Sequence, residues 1–234
     1  MIVLLLALAA PQFHIEHLAN AGVLLRCGDD VAIVDGAFRE GVSGYAVLSP
    51  DRREAIETAA PPYAHVRLIL ATHRHKDHFD APAVQRHLQS NPSAIAAGPP
   101  QVAQQLRGAK VWSLQPGEAR QTGSISLRVF RVPHNEPHEK TIENNVYLLT
   151  LCGKKVIVTG DAIVQPKAFG DAGLANLKPD IVVAPWWFAL STRGREVLDQ
   201  IIQAPAYWAI HGDLEGRDKW RGRVLQHYPK AQIP

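Results

Sequence analysis

Alternating apolar runs and helix-like segments along the 234 residues predict an α/β layered fold. Three observations carry that reading. Residues 66–71 form an apolar stretch bounded by polar residues, the mark of a strand covered on both faces. A helix start follows at once, with Asp80 as an N-cap type and Pro82 in the first turn. No composition shift, long linker or low-complexity run divides the chain, so the alternation belongs to one domain.

Taken in order, residues 13–17, 23–26 and 31–35 read as strands, and Gly28-Asp29-Asp30 turns the chain between the last two. Residues 49–59 read as a helix closed off by Pro61-Pro62, and the helix begun at Asp80 runs to Asn91-Pro92. A helix at 101–106 is followed by strands at 125–132, 146–151, 156–159 and 181–184, a helix at 196–203 and a last strand at 207–210. Two stretches echo each other. Leu24-Leu25-Arg26-Cys27-Gly28 leads into residues 31–34 and Asp35; Leu149-Thr150-Leu151-Cys152-Gly153 leads into residues 156–158, with Asp161 beyond. Two hairpins of one type, each followed by an aspartate, suggest two similar halves facing each other.

With 46% hydrophobic residues there is ample material for a core, and a formal charge of +3 is only mildly basic. The nearest approach to a basic cluster is Arg217, Lys219, Arg221, Arg223 and Lys230. Trp220, Val224 and Leu225 recur among them at helical spacing, which makes the cluster the wet face of a terminal helix. Dedicated nucleic-acid binding is therefore not expected. Residues 2–10 are an unbroken apolar run ending in Ala7-Leu8-Ala9-Ala10, too short to span a bilayer and suited to signal-peptidase cleavage. The basic start of a secretory signal is missing, and a first buried strand is the alternative. Residues 1–11 are read as an export signal ahead of a domain at 12–234. That places the mature protein in the periplasm or outside the cell, and without export it is cytoplasmic. Cys27 and Cys152 both precede glycine at hairpin turns and read as small buried residues at strand ends. Equivalent positions in two facing halves are expected to lie apart, so no bridge between them is expected.

The chemistry sits in Thr72-His73-Arg74-His75-Lys76-Asp77-His78-Phe79-Asp80, where a buried strand ends and a helix begins, the place where open α/β sheets put their ligands. Three of the chain's 11 histidines and a carboxylate fall within six residues. Imidazole nitrogen and carboxylate oxygen suit zinc, and also iron or manganese. His73 and His75 can point to one ion while Asp77 and His78 point to a second, leaving each short of ligands. His134, Asp161 and His211, each in a loop after an apolar strand, can make up the number.

In these residues the chain resembles the metallo-β-lactamase superfamily, from about Phe13 to His211. The resemblance rests on Asp35 after a strand, the H-x-H-x-D-H segment, His134, Asp161 in Thr159-Gly160-Asp161, and His211, all in order. It implies a four-layer αββα sandwich and two divalent ions, zinc foremost, with manganese or iron as the other candidates. His73, His75 and His134 would form one site, Asp77, His78 and His211 the other, and Asp161 would bridge them. Asp35 would support the cluster from behind, or equally serve as a turn residue before Gly36. The implied reaction is hydrolysis of a small ester, lactone or phosphodiester by a hydroxide shared between two metals about 3.5–4 Å apart, with Asp77 orienting the nucleophile.

Aspartate rather than cysteine at position 161 turns the resemblance from the β-lactamases towards the glyoxalase, lactonase and phosphodiesterase-like members. Residues 18–25 and Asn144-Asn145 before Val146-Tyr147-Leu148 resemble the lactonase and phospholipase-D-like branch. Only about fifty residues separate Asp161 from His211, too few for the insertion of the RNA-processing members, and His75 stands where the diiron oxygen reductases carry glutamate. Trp186 and Trp187, after the strand at 181–184, are expected at the mouth of the site with Asn145 as substrate contacts, although at least one tryptophan reads better as a core cap. Residues 135–143 read as a polar loop over the pocket, with His138 on the surface. An iron-dependent sulfur dioxygenase of the same fold and a non-catalytic metal-binding protein are the alternatives to a hydrolase.

Overall fold

The computed structural model describes residues 11–108, 110–136 and 141–234. Residues 1–10 of the expected export segment, and His138, lie outside the described residues. The first half runs β1 (Phe13–Ala19), β2 (Gly22–Cys27), β3 (Asp30–Val34), α1 (Pro50–Glu57), β4 (Val66–Leu70), α2 (Ala81–Ser90), β5 (Ile95–Gly98), α3 (Pro100–Ala103) and β6 (Val111–Ser113). The second runs β7 (Ala119–Thr122), β8 (Ile125–Arg131), β9 (Asn145–Leu151), β10 (Lys154–Val158), α4 (Pro166–Asp171), β11 (Ile181–Pro185), α5 (Trp187–Leu190), α6 (Thr192–Glu196), a wider π-helical turn over Val197–Ile202, β12 (Ala206–Ile210) and α7 (Arg217–His227).

Each half contributes a six-stranded sheet, ordered β1-β2-β3-β4-β5-β6 and β12-β11-β10-β9-β8-β7. In both, an antiparallel meander passes into parallel strands: β3 pairs β4 in parallel after the β2–β3 hairpin, as β10 pairs β11 after the β9–β10 hairpin. Side chains alternate across each strand, which sorts the core into three apolar layers. Val23, Leu25 and Val34 meet Leu127, Leu149 and Val158 between the sheets. Leu24, Ile33 and Ile69 turn the other way, onto Ile56 of α1, Val84 of α2 and Val102 of α3. Leu148, Ile157 and Ala184 do the same for Phe169, Phe188 and Trp220. Helix, sheet, sheet, helix is the αββα order, and every apolar side chain of this size taken out of water contributes about 1.5–3 kcal/mol.

Local signals account for most boundaries. Asp80 caps α2 by accepting from Ala83 N at 2.8 Å, and Pro82 lies in its first turn. Ser49 caps α1 and Ser191 caps α6. The helix expected at 196–203 starts earlier because of that Ser191 cap, and the one expected at 101–106 shortens to Pro100–Ala103. Strands β5, β6 and β7 escape sequence reading. Ile-Ala-Ala-Gly and Ala-Arg-Gln-Thr lack alternation or strand formers, and they are strands because β4 and β8 present them with a ladder to join. Among the described residues no helix is long and apolar enough to cross a membrane.

Cys27 and Cys152 form a disulfide, against the expectation that they lie apart. Both do sit at strand ends, after β2 and β9, but those two strands face each other across the central layer. Equivalent positions in a two-fold arrangement are distant only when they are far from the axis. These two lie close to it, so their side chains meet. The bridge ties the two halves across a separation of 125 residues.

Glu57 is a second tie, inside the first half. Its carboxylate is 3% exposed and accepts from Arg39 Nε and Nη2 at 2.8 and 2.7 Å and from Arg86 Nη1 at 3.2 Å, joining α1, α2 and the segment after β3. The Arg39 hydrogen bonds hold the carboxyl below the ordinary 4.5. A depressed folded-state value stabilises the protein above the unfolded value, and the contribution is lost as pH falls through the folded value. Thermal unfolding as a function of pH should therefore show an acid limb below 4.5 that is shallower in Glu57→Gln; an unchanged limb would remove Glu57 from the account. For the disulfide, Cys27→Ser with Cys152→Ser should cost about 2–5 kcal/mol in urea unfolding. Equal stability with and without reductant would mean the bridge does not constrain the chain.

Candidate metal centre

The site lies where β3, β4, β8, β10 and β12 end, and its side chains come from the loops that follow them. Position 35 comes first, because the others are hung from it. Asp35 adopts φ 52°, in the left-handed region, directly after β3. There its buried carboxylate accepts from Thr72 N (2.7 Å) and Thr72 Oγ1 (2.7 Å) and lies 3.0 Å from His78 Nδ1. Asp35 is thus both the turn residue and the support behind the cluster, the two readings its sequence context left open. Since the Thr72 hydroxyl spends its proton on Asp35, it accepts from His73 Nδ1 at 3.0 Å. One carboxylate thereby places the protons of His73 and His78 on Nδ1 and leaves both Nε2 atoms facing the site.

The loop after β4 is wound so that His78 N and Phe79 N donate to His75 O. This brings His73 Nε2 to 3.1 Å from His75 Nδ1. Across the cleft, the loops after β8 and β10 are zipped together by Asn135 N donating to Asp161 O and Ile163 N donating to Pro133 O, both at 2.8 Å. Asn144 reinforces the zip, donating to Val132 O and Thr159 O and accepting from Asp161 N. Gly160 between them has φ 54°, and a Cβ there would lie 2.5 Å from Asn144 Oδ1 and 2.6 Å from Thr72 Cβ. Only glycine permits that approach.

Three groups of possible ligand atoms result, each mutually within 4.8 Å: His73, His75 and His134; His73, His78 and Asp161; and Asp77, His78 and His211. Asp161 Oδ2 lies 3.2 Å from His211 Nε2, 3.5 Å from His78 Nε2 and 3.9 Å from His134 Nε2, between the outer groups. All seven residues named from the sequence are therefore together, in the arrangement of two adjoining donor sets. Buried His78 Nε2, His211 Nε2 and Asp161 Oδ1 make no hydrogen bond, yet buried polar atoms almost always have a partner. Nitrogen and oxygen donors without hydrogen bonds, facing one another, fit divalent cations of the zinc, iron or manganese type.

Charge is distributed unevenly in the cluster. Burial, then the proximity of His78, keeps His73 neutral, its value well below the ordinary one. Burial also opposes the cation of His78, but Asp161 and Asp35 outweigh it and raise His78 well above its usual value. In the same way His211 rises to about 9 against its burial, chiefly through Asp161. Asp161 and Asp77 are held below the carboxylate range by these imidazoles although burial pushes both upward.

Two supporting residues carried no clear sequence signal. Asn20, at φ 44° in the β1–β2 turn, donates to Asp77 Oδ2 at 2.9 Å and accepts from His211 N at 3.1 Å. Its side-chain amide and backbone carbonyl thus hold two loops of the cluster at once. Tyr45 lies edge-on to His211 with ring centroids 4.7 Å apart and lines the cleft. Burial, then Asp161, raises its phenol, so the hydroxyl keeps its proton as a donor.

The cleft over the cluster has a volume of about 610 Å³. Trp187 lines it and meets His211 edge-on at 5.2 Å, whereas Trp186 turns away to stack on Trp220. The expectation that Trp186 contacts substrate is corrected accordingly; of the pair, Trp186 is the core cap. Asn145 is corrected too. It is fully buried, accepts from Arg131 Nε at 2.8 Å and donates to Leu114 O and the Tyr147 hydroxyl, so it braces the floor below the cleft. Tyr147 in turn donates to Ala71 O at 2.8 Å, directly before Thr72. Of the expected loop at 135–143, Asn135 and Glu136 line the cleft.

No curated protein sequence is significantly similar to the chain. Solved structures match it along nearly its whole length at low identity. A candidate metal-dependent hydrolase from Parabacteroides distasonis is 18% identical with a TM-score of 0.66, covering 95% of this chain and 93% of its own. An isothiocyanate hydrolase from Delia radicum gut bacteria is 16% identical with a TM-score of 0.62, covering 94% and 95%. CmlA, a diiron β-hydroxylase from Streptomyces venezuelae, is 14% identical with a TM-score of 0.58, covering 93% of this chain but 48% of CmlA. At these identities the likeness is one of fold. The model of the β-lactamase superfamily domain matches residues 15–204, most of the chain. The chain therefore belongs to the metallo-β-lactamase superfamily, whose fold its two facing sheets and flanking helices adopt.

Proposed function

We propose that the protein is a hydrolase of a small ester, lactone or phosphodiester, working with two divalent ions, zinc foremost, in the lactonase and phospholipase-D-like branch of its superfamily. The observation that carries this is the pair of adjoining donor sets with Asp161 between them, at an open cleft. His73, His75 and His134 would hold one ion, Asp77, His78 and His211 the other, and Asp161 both. Bound there, the ions supply a water that loses its proton near neutral pH and a Lewis acid for the substrate oxygen.

The rest of the work falls to the chain. Asp35 and Thr72 engage Nδ1 of His78 and of His73, so Nε2 is the atom each imidazole turns towards the cleft. Asp77, ionised and held at Oδ2 by Asn20, orients the nucleophile by accepting its hydrogen bond. The Tyr45 hydroxyl is the donor placed to meet charge on a substrate oxygen, and Trp187 gives the cleft an apolar wall. The Cys27–Cys152 disulfide supports export, because thiols of cytoplasmic proteins stay reduced.

Elemental analysis of purified protein should find two zinc or manganese ions per chain, and turnover on a panel of chromogenic esters, lactones and bis-phosphodiesters should vanish with chelator. His75→Ala should lose activity and metal while keeping its circular dichroism. A single iron per chain would favour the oxygenase reading, and no chelator-sensitive turnover on any class would remove the hydrolase reading. Asp35→Asn, which disturbs the proton placement without touching a ligand position, should weaken zinc binding about 10- to 100-fold in competition with a chromophoric chelator. Unchanged affinity in the folded variant would show that Asp35 does not support the cluster.

A further inference from the structure

Strand β1 reaches the cluster through an irregularity. His17 pairs with Val23 and Ala19 with Gly22, so Leu18 is an extra residue on β1. A bulge of this kind bends its strand and re-aims the side chains around it, and bulges gather beside functional sites. The carbonyls at the bulge are held from outside the sheet. Arg52 of α1 donates through Nη1 to Leu18 O at 3.0 Å and to His17 O at 3.4 Å, while its Nη2 meets Glu16 Oε1 at 3.0 Å.

Beside the bulge the His17 ring folds back on the turn that follows, and its Nε2 lies 2.8 Å from Asn20 O. A carbonyl can only accept, so the imidazole donates. Burial lowers His17 below its ordinary value, so the ring is neutral and its one N–H, on Nε2, is spent on Asn20. The same carbonyl accepts from His211 N at 3.1 Å, so donors from β1 and from the end of β12 take both of its lone pairs. The Asn20 side chain faces a third element, its Nδ2 donating to Asp77 Oδ2 at 2.9 Å. At φ 44° Asn20 stands in the left-handed region, where a residue other than glycine is kept by its contacts.

We propose that His17 is a positioning residue for the cation that Asp77, His78 and His211 would hold: its hydrogen bond fixes the Asn20 carbonyl, and Asn20 sets both the Asp77 carboxylate and the backbone of His211. The cation rests on the two-ion reading above; the ordering of the turn rests on the hydrogen bonds alone. The two donor sets are thereby made unequal. His73, His75 and His134 are fixed by the loop after β4 and by the zipped loops after β8 and β10, whereas Asp77 and His211 both lean on the β1–β2 turn. Removing the His17 donor should therefore weaken one ion and spare the other. One neutral hydrogen bond is worth about 3- to 10-fold in an equilibrium constant.

The test compares the full chain with His17→Phe, which keeps a ring but loses the donor, and His17→Gln, whose Nε2 can stand where the imidazole Nε2 does. Stepwise zinc affinities are read by competition with chromophoric chelators, and hydrogen exchange of the His211 amide is followed in the metal-free protein. His17→Phe should weaken one of the two zinc steps about 3- to 10-fold, leave the other unchanged and speed exchange at His211. His17→Gln should restore both readings. Two zinc steps in the parent chain, neither altered by His17→Phe, would overturn the positioning role and leave the two-ion reading standing. A single step in the parent chain would remove the two-ion reading; faster His211 exchange in His17→Phe, repaired by His17→Gln, would then still uphold the ordering of the turn, and unchanged exchange would overturn it. Equal weakening of both steps with a lowered melting temperature, or a loss that His17→Gln does not repair, would make His17 a packing residue, and the proposal falls.

Discussion

The buried carboxylate of Asp35 is the constraint on which the rest of the site depends. It lies at a left-handed backbone position after a central strand, and both of its oxygens are spent on one threonine and one histidine. A residue in that conformation costs about 1–3 kcal/mol unless its surroundings enforce it. The surroundings do so, because Asp35 N donates to Leu70 O at 2.9 Å while its side chain takes both donors of Thr72. The turn after β3 and the loop after β4 are thus one unit. Two imidazoles inherit their tautomers from it, and the Asp77 loop inherits its position.

The second sheet answers with a unit of its own. Asn144 fastens the His134 and Asp161 loops to each other, Gly160 lets Thr72 come close, and Asn145 N donates to Thr72 O at 2.9 Å. Thr72 is where the units meet, touching Asp35, His73 and Asn145 and standing against Gly160. The disulfide closes the same facing strands through the hairpin turns at the other ends of β2 and β9. Relative sliding of the two sheets is therefore resisted both at the site and at the turns. Ligands drawn from both halves need that resistance, since a shift of one side chain's width would separate Asp161 from His78.

The alternation of buried strands and capped helices was readable from the sequence, as were the seven residues that the fold brings together in one cluster. Both are written locally: period-two apolar runs, Asp80 before Ala81-Pro82, and H-x-H-x-D-H at a strand end. What escaped reading is what depends on partners distant in the chain. β5, β6 and β7 are strands because of their neighbours, not their composition. The Cys27–Cys152 pair needed the position of the pseudo-axis, and the internal echo alone does not specify it. Asn145 beside Asn144 looked equivalent in sequence, but strand alternation sends neighbouring side chains to opposite faces. Asn144 clips the ligand loops while Asn145 goes to the floor. Asn20 and Tyr45 come from turns whose composition names no chemistry, and only proximity gives them a role.

The charge balance of the cluster explains why so many ionisable groups tolerate burial together. Asp35, Asp77 and Asp161 bring three negative charges into residues no more than 8% exposed. Unpaired, such charges would be costly. The protein offsets them by raising His78 and His211 to retain protons, while His73, deeper and against His78, gives its proton up. Protons thus hold the places of positive charge between the carboxylates, and a divalent cation carries the same sign at the same points more compactly. A cation bound there would compete with those protons for the same imidazole nitrogens, which Asp161 raises above their usual values. A cluster poised in this way is preorganised by charge as well as by hydrogen bonding, and its geometry survives the exchange because Asp35 and Asn20 hold it from behind.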